Sequence, residues 1–198
     1  MSKLFSLDEI KQTPVAIDKS MLEVTRFLDA QQHKIGGVKE LLNRLPAPGE
    51  AFFLWTVNQF NAFTFIPYLI DNTKCIDDLM ISTYSINIRI IDSLSSFVQK
   101  NLVGNVYILI SDSAKFRIPA VIDHLEQFRI SFPNVTVRYA WNHSKITLMR
   151  CDDQFYVIEG SGNFSENSRH EQYIFLNSKH IYEFRRRWIV DEIHGRTT

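Results

Sequence analysis

Apolar positions recur at helical spacing early in the chain and in short runs further on. From 18 to 45, Met21, Leu22, Val24, Phe27, Leu28, Ile35, Val38, Leu41, Leu42 and Leu45 follow mostly the period of a helix with one buried face. Gly36-Gly37 weakens the middle, so the pattern predicts two short helices or one broken one. Pro46-Ala47-Pro48-Gly49 stops any helix and marks a boundary. Residues 1–48 therefore read as an N-terminal helical appendage and 49–198 as the main domain.

Beyond the boundary the rhythm changes. Residues 50–57 (EAFFLWTV) are apolar and aromatic, which suits a buried strand. Residues 63–71 predict a helix around Pro67, with Asn61 or Thr64 available near its start. Strands are predicted at 79–84, 106–111 and 135–141, with helices at 89–99 and 119–128 between them. Pro119 is well placed for a first helical turn. Such alternation predicts an α/β sheet with parallel neighbours and helices on both faces. Then the pattern breaks. Residues 143–150 and 155–159 are strand-like runs joined by Cys151-Asp152-Asp153-Gln154, which reads as a hairpin. Residues 171–176 predict another strand, and 179–193 a last helix carrying Arg185, Arg186 and Arg187.

Composition narrows the classes. At 198 residues, 45% hydrophobic and 22% charged, the chain excludes a disordered tail, a collagen-like rod and a coiled coil. Fifteen phenylalanines predict an aromatic core. Lys plus Arg and Asp plus Glu both number 22, so no bulk field draws the chain to DNA or to an anionic membrane. A nucleic-acid partner would have to be met by a local basic patch. Cys75 and Cys151 have no C-x-x-C spacing, so a reducing, cytoplasmic setting is expected, with Cys75 in the core. Asp8 and Glu9 stand where a signal peptide would be apolar, and no run approaches the ~20 apolar residues that span a bilayer. A soluble protein without a membrane partner is expected.

The chemistry concentrates between Asn142 and Phe175. Alternate residues of a strand share a face, so His143 and Lys145 are expected to point the same way. The hairpin then returns Gly160-Ser161-Gly162-Asn163 to their neighbourhood. Glycines on both sides of Ser161 imply a close backbone approach or a sharp turn. An imidazole, an ammonium, a hydroxyl and an amide on one spot make a phosphate site. Lys145 brings charge, Ser161 and Asn163 bring donors, and His143 can serve as nucleophile or proton shuttle near neutral pH. Gly160, Gly162, Arg169 and His170 border that spot as candidate substrate contacts.

H-x-K followed by G-S-x-N resembles the HKD motif of the phospholipase D superfamily, and His143, Lys145, Ser161 and Asn163 match it one for one. The likeness is to the single-motif, nuclease-like members of bacteria and phages. It implies a phospholipase D-like mixed sheet flanked by helices on both faces, with the N-terminal helical appendage outside it. It implies a phosphodiesterase that needs no metal or other cofactor, with DNA or RNA as substrate. Glu171 falls where the family often places a carboxylate that orients the histidine. The family attacks phosphorus with one histidine and protonates the leaving oxygen with another. Of six histidines here only His143 sits in an H-x-K, so the resemblance implies a homodimer with one site across its two-fold axis.

The chain departs from the pattern H-x-K-x4-D-x6-G-S-x-N at Arg150, which holds the aspartate position, and by a longer hairpin. Other features read as ordinary structure. Trp55, Trp141 and Trp188 are expected in the core or at its rim rather than as base-stacking platforms. Arg185, Arg186 and Arg187 are expected on a solvated face, the alternative being that with Arg169 and Lys179 they line a groove for a polyanion. Ser161 lacks the G-x-S-x-G elbow of a triad serine. Cys151, Asp152 and Asp153 are turn neighbours that cannot converge on one ion, so no metal is expected. A module that binds nucleic acid without cleaving it, and a phospholipid hydrolase or transferase, are the alternative functions.

Overall fold

The computed structural model describes residues 34–57, 59–165 and 170–195. Most of the predicted appendage, and Arg169, lie outside the described residues. Residues 34–41 form helix α1, which runs through Gly36-Gly37 rather than breaking there. Val38 and Leu42 are buried, and the Tyr68 hydroxyl donates to the Leu42 carbonyl at 2.9 Å.

The main domain is one seven-stranded sheet. Its strands are β1 (Ala51–Val57), β2 (Ile76–Thr83), β3 (Val103–Ser111), β4 (Val135–Ala140), β5 (Ile146–Cys151), β6 (Gln154–Gly160) and β7 (His170–Asn177). They lie in the order β1-β7-β6-β5-β2-β3-β4. β2, β3 and β4 are parallel, as the alternating pattern requires. The remaining pairings, β2 with β5 through to β1 with β7, are antiparallel. The sheet is thus mixed.

The helices are α2 (Phe65–Thr73), α3 (Ile88–Gln99), α4 (Ala114–Arg117), α5 (Pro119–Ser131) and α6 (Lys179–Ile193). Asn61 and Thr64, both available near the start of the first of these, form a reciprocal capping box on a 3-10 turn that leads into α2. Alternation along the strands sorts the core into two layers. Leu79, Ile81, Ile108, Ile110, Met149 and Ile158 face α2, α3 and α5, where Phe65, Leu69, Ile90, Leu94 and Leu125 meet them. Met80, Leu109, Leu148 and Val157 face α6, through Tyr182 and Ile189. Helices therefore cover both faces.

Other sequence expectations change too, and Trp141, expected in the core or at its rim, is 97% exposed. β1 is an edge strand, with Phe53 and Trp55 79% and 63% exposed while Leu54 and Thr56 are buried. The strand predicted from 143 begins at Ile146, and the hairpin turn tightens to Asp152-Asp153, with Asp152 at φ +50°. Cys75, expected in the core, is exposed, and Cys151 is the buried thiol. No helix among the described residues is long and apolar enough to cross a membrane.

Candidate active site

β2, β3 and β4 end, β5 begins, β6 ends and β7 begins at the same edge of the sheet. The carboxyl ends of parallel strands in an open α/β sheet are where ligands bind. Here they frame an open cleft of about 480 Å³ lined by His143, Ser144, Lys145, Gly160, Ser161 and, from α6, Arg185.

His143 is held by its neighbours rather than by a strand ladder. Buried Asn142 reaches the Ser82 hydroxyl (3.0 Å) and the Thr83 and Leu109 carbonyls (both 3.2 Å) with Nδ2. Its Oδ1 accepts from the Ser144 N–H (2.9 Å) and hydroxyl (2.7 Å), and Ser144 also contacts the Ser82 hydroxyl at 2.5 Å. The backbone is therefore pinned on both sides of His143, whose side chain is exposed. Lys145 Nζ lies 3.3 Å from His143 Nδ1 and donates to the His143 carbonyl at 2.7 Å. Both residues thus share a spot, though by an Asx-type turn instead of strand alternation.

The G-S-x-N segment is drawn in by other bonds. The Gly160 N–H donates to the Lys145 carbonyl at 3.3 Å, tying the two halves of the motif together. Added Cβ atoms at Gly160 and Gly162 would collide with β7, at the Gln172 carbonyl and the Tyr173 ring for Gly160 and at the Tyr173 hydroxyl for Gly162. The glycines are there for close approach. Ser161 donates its hydroxyl proton to the Glu171 carboxylate and accepts from the Gln172 N–H at 3.1 Å. Ser161 thus fixes a buried carboxylate rather than leaving its own proton for a ligand. Asn163 accepts at Oδ1 from the Thr83 hydroxyl (3.4 Å), which leaves its amide N–H₂ as the donor side. Buried Phe164, bridged to Ile86, anchors that residue from behind.

Burial pushes the Lys145 ammonium below its usual range, and the Glu171 charge partly offsets this. An ammonium so placed gains from an incoming anion. Arg185 reaches the cleft while forked onto Glu159 at 2.6 and 2.8 Å. His170 lies beyond the cleft lining, stacked on Trp55 with ring centroids 5.2 Å apart. Arg150 stands at the far end of β5, bonded to Asp78 (2.7 Å) and Asp77 (3.3 Å). The departure at the aspartate position is therefore absorbed by an ion-pair cluster remote from Lys145. Among the described residues no group of three or more His, Cys, Asp or Glu side chains could hold a metal ion.

Sequence reasoning missed Asn142 and Tyr84, while Arg185, read as a solvated residue with a polyanion groove as the alternative, lines the cleft. Asn142 was visible beside the H-x-K, as a polar residue flanking a functional one. Tyr84 arrives from a distant element and left no local signal.

No family model matches the sequence, and no curated protein matches it. Solved structures do. A polyphosphate kinase from Porphyromonas gingivalis superposes with TM-score 0.58 at 15% identity, over 76% of this chain and 27% of that one. A phospholipase D family member, Nuc from Salmonella typhimurium, gives 0.55 at 16% identity, over 72% of this chain and 93% of its own. The phosphatidylserine synthase of Haemophilus influenzae Rd KW20 gives 0.51 at 13%, over 75% of this chain and 39% of the synthase. The chain has the phospholipase D-like fold. It spans about a quarter of the kinase and nearly the whole length of Nuc.

Proposed function

We propose that this chain is a metal-independent phosphodiesterase, a nuclease acting on DNA or RNA through a phosphohistidine at His143. One observation carries the reading: His143, Lys145, Gly160 and Ser161 line a single cleft at the carboxyl end of the parallel strands. The fold it shares with a phospholipase D family member, over 72% of this chain and 93% of that one, supports it.

Two copies of the chain would complete the site. His143 Nε2 attacks phosphorus and the bond to the leaving oxygen breaks. That oxygen takes a proton from the partner's His143. The same imidazole then removes a proton from water, the water oxygen bonds to phosphorus, and the P–N bond breaks, returning both rings to their starting states. Lys145 in the cleft lining meets the charge that develops on the phosphoryl oxygens, and Asn163, which stands behind the lining, would add its amide N–H₂. Glu171, held by Ser161, partly offsets the burial that lowers the Lys145 pKa. Gly160 and Gly162 let the strand ends approach closely enough to form the cleft. Nucleic acid is preferred to phospholipid on the likeness of the motif to the single-motif, nuclease-like members of the superfamily.

Cleavage of single- and double-stranded DNA and RNA in EDTA, comparing the wild type with His143→Ala, tests the reading. Cleavage that persists in EDTA and disappears in the variant supports it. Binding that survives His143→Ala, with no cleavage by the wild type, would instead assign a binding module.

A further inference from the structure

The carboxyl ends of β2, β3 and β4 carry aromatic and cationic side chains that the cleft itself does not use. Tyr84, directly after β2, has its ring 4.6 Å from the His143 ring. The Arg117 guanidinium lies over Tyr84 at 4.2 Å, held by the Ser113 hydroxyl and the Tyr84 carbonyl, each at 3.3 Å. Next to Arg117 on α4, Phe116 is 90% exposed, and Trp141, directly after β4, is 97% exposed. The Asp112 N–H donates to the Ala140 carbonyl at 2.8 Å, which joins the segments carrying these two rings. Lys115 adds a second cation, its Nζ 4.6 Å from the Tyr139 ring centroid. Neighbouring strands lie ~4.8 Å apart, so the ends of β2 and β4 are separated by about 10 Å.

Every base has a π-face, so exposed aromatic rings and arginine planes hold unpaired bases whatever their sequence. We propose that Trp141 and Phe116, beside the Arg117–Tyr84–His143 cluster, form a platform for the bases of single-stranded nucleic acid while a backbone phosphate occupies the cleft. The proposal rests on the phosphodiesterase reading and narrows its substrate. In a duplex the base faces are already covered by their neighbours, and Trp141 and Phe116 have nothing to stack on. Arg117 and Lys115 supply local positive charge where the adjoining phosphates run. The rim consists of strand-end turns and one short helix, not an amphipathic helix of the kind that lies in a bilayer surface. Bases are therefore favoured over lipid.

The test measures binding in a His143→Ala background, which blocks turnover. The probes are a labelled single-stranded oligonucleotide, its abasic counterpart with the same phosphates, the matching duplex, and phosphatidylglycerol vesicles. The base-bearing single strand is expected to bind about tenfold or more tightly than the other two oligonucleotides. Trp141→Ala and Phe116→Ala should each weaken it about tenfold and leave the abasic strand nearly unchanged. Both positions are exposed, so folding should survive either change. Equal binding of base-bearing and abasic strands would overturn the proposal. So would vesicle binding that depends on Trp141, or dissociation of a dimer by Trp141→Ala. Wild-type hydrolysis of bis(p-nitrophenyl) phosphate, a phosphodiester without a base, separates the two readings. Hydrolysis without base preference sinks the platform alone; base preference without hydrolysis supports the platform and sinks the phosphodiesterase reading.

Discussion

Lys145 Nζ stands 3.3 Å from His143 Nδ1, so the ammonium and the imidazole of the motif face each other directly. An ammonium can only donate, and Nδ1 must therefore offer its lone pair. In the neutral ring the proton then sits on Nε2, the nitrogen that the proposed chemistry needs free. A bound phosphate group should draw Lys145 to its oxygens and release Nδ1 to take the proton. Nitrogen chemical shifts of labelled His143 should report protonated Nε2 in the free chain and protonated Nδ1 with saturating inorganic phosphate. A ring already protonated at Nδ1 without phosphate would contradict this.

Burial lowers the Lys145 pKa, with a smaller opposing effect from Glu171, so folding disfavours the charged lysine. Between the folded value and the ordinary 10.5 the unfolded chain binds more protons, and stability from this group rises with pH across that window. Below the window the penalty is constant. Lys145→Met removes it. The variant should melt at the same temperature as the wild type or higher at neutral pH, while cleavage falls about 100-fold or more. Calorimetry and initial rates check both halves; a large drop in melting temperature would mean that Lys145 is structural.

Gly162 is closed against Tyr173 on β7. Gly162→Ala pushes a methyl group into the buried phenol and should cost about 1–3 kcal/mol, shifting Ser161 and Asn163 as it does so. Tyr173→Phe removes the oxygen that the methyl meets. The double variant should therefore recover part of the stability and activity, as a double-mutant cycle in urea would record. Additive losses would place the strain elsewhere.

At Arg150 the account predicts that restoring the family residue does harm. Arg150 pairs with Asp78 at 2.6 Å and Asp77 at 3.3 Å, and it is opposite Asp78 in the ladder. Arg150→Asp loses these partly exposed pairs, worth about 1 kcal/mol or less each, and sets a third carboxylate beside two. Melting temperature should fall with no gain in cleavage. A gain would show that Arg150 suppresses the site from a distance.

Much of this was legible from the sequence because it is local. The H-x-K and G-S-x-N segments sit at the two open ends of one hairpin, and a hairpin brings its ends together whatever surrounds it. The parallel run β2-β3-β4 followed from strands alternating with helices. β1 was misplaced for a physical reason: Phe53, Trp55 and Val57 look like core residues by type, but they alternate with buried Leu54 and Thr56. That period of two marks a strand with one buried face, and here it pairs antiparallel with β7 at the sheet edge. Tyr84 and Arg117 could not be read at all, and Arg185 only as one of a run of arginines. Their place at the site depends on which strand ends neighbour one another, and a topology is not a local property.

The measurement that reaches the central claim most directly is a rapid quench into alkali of a single turnover on labelled single-stranded DNA in EDTA. The expected result is label attached to His143, stable in base and released in acid, with none on the His143→Ala chain. Cleavage without such an adduct, or an adduct on any other residue, would contradict the account.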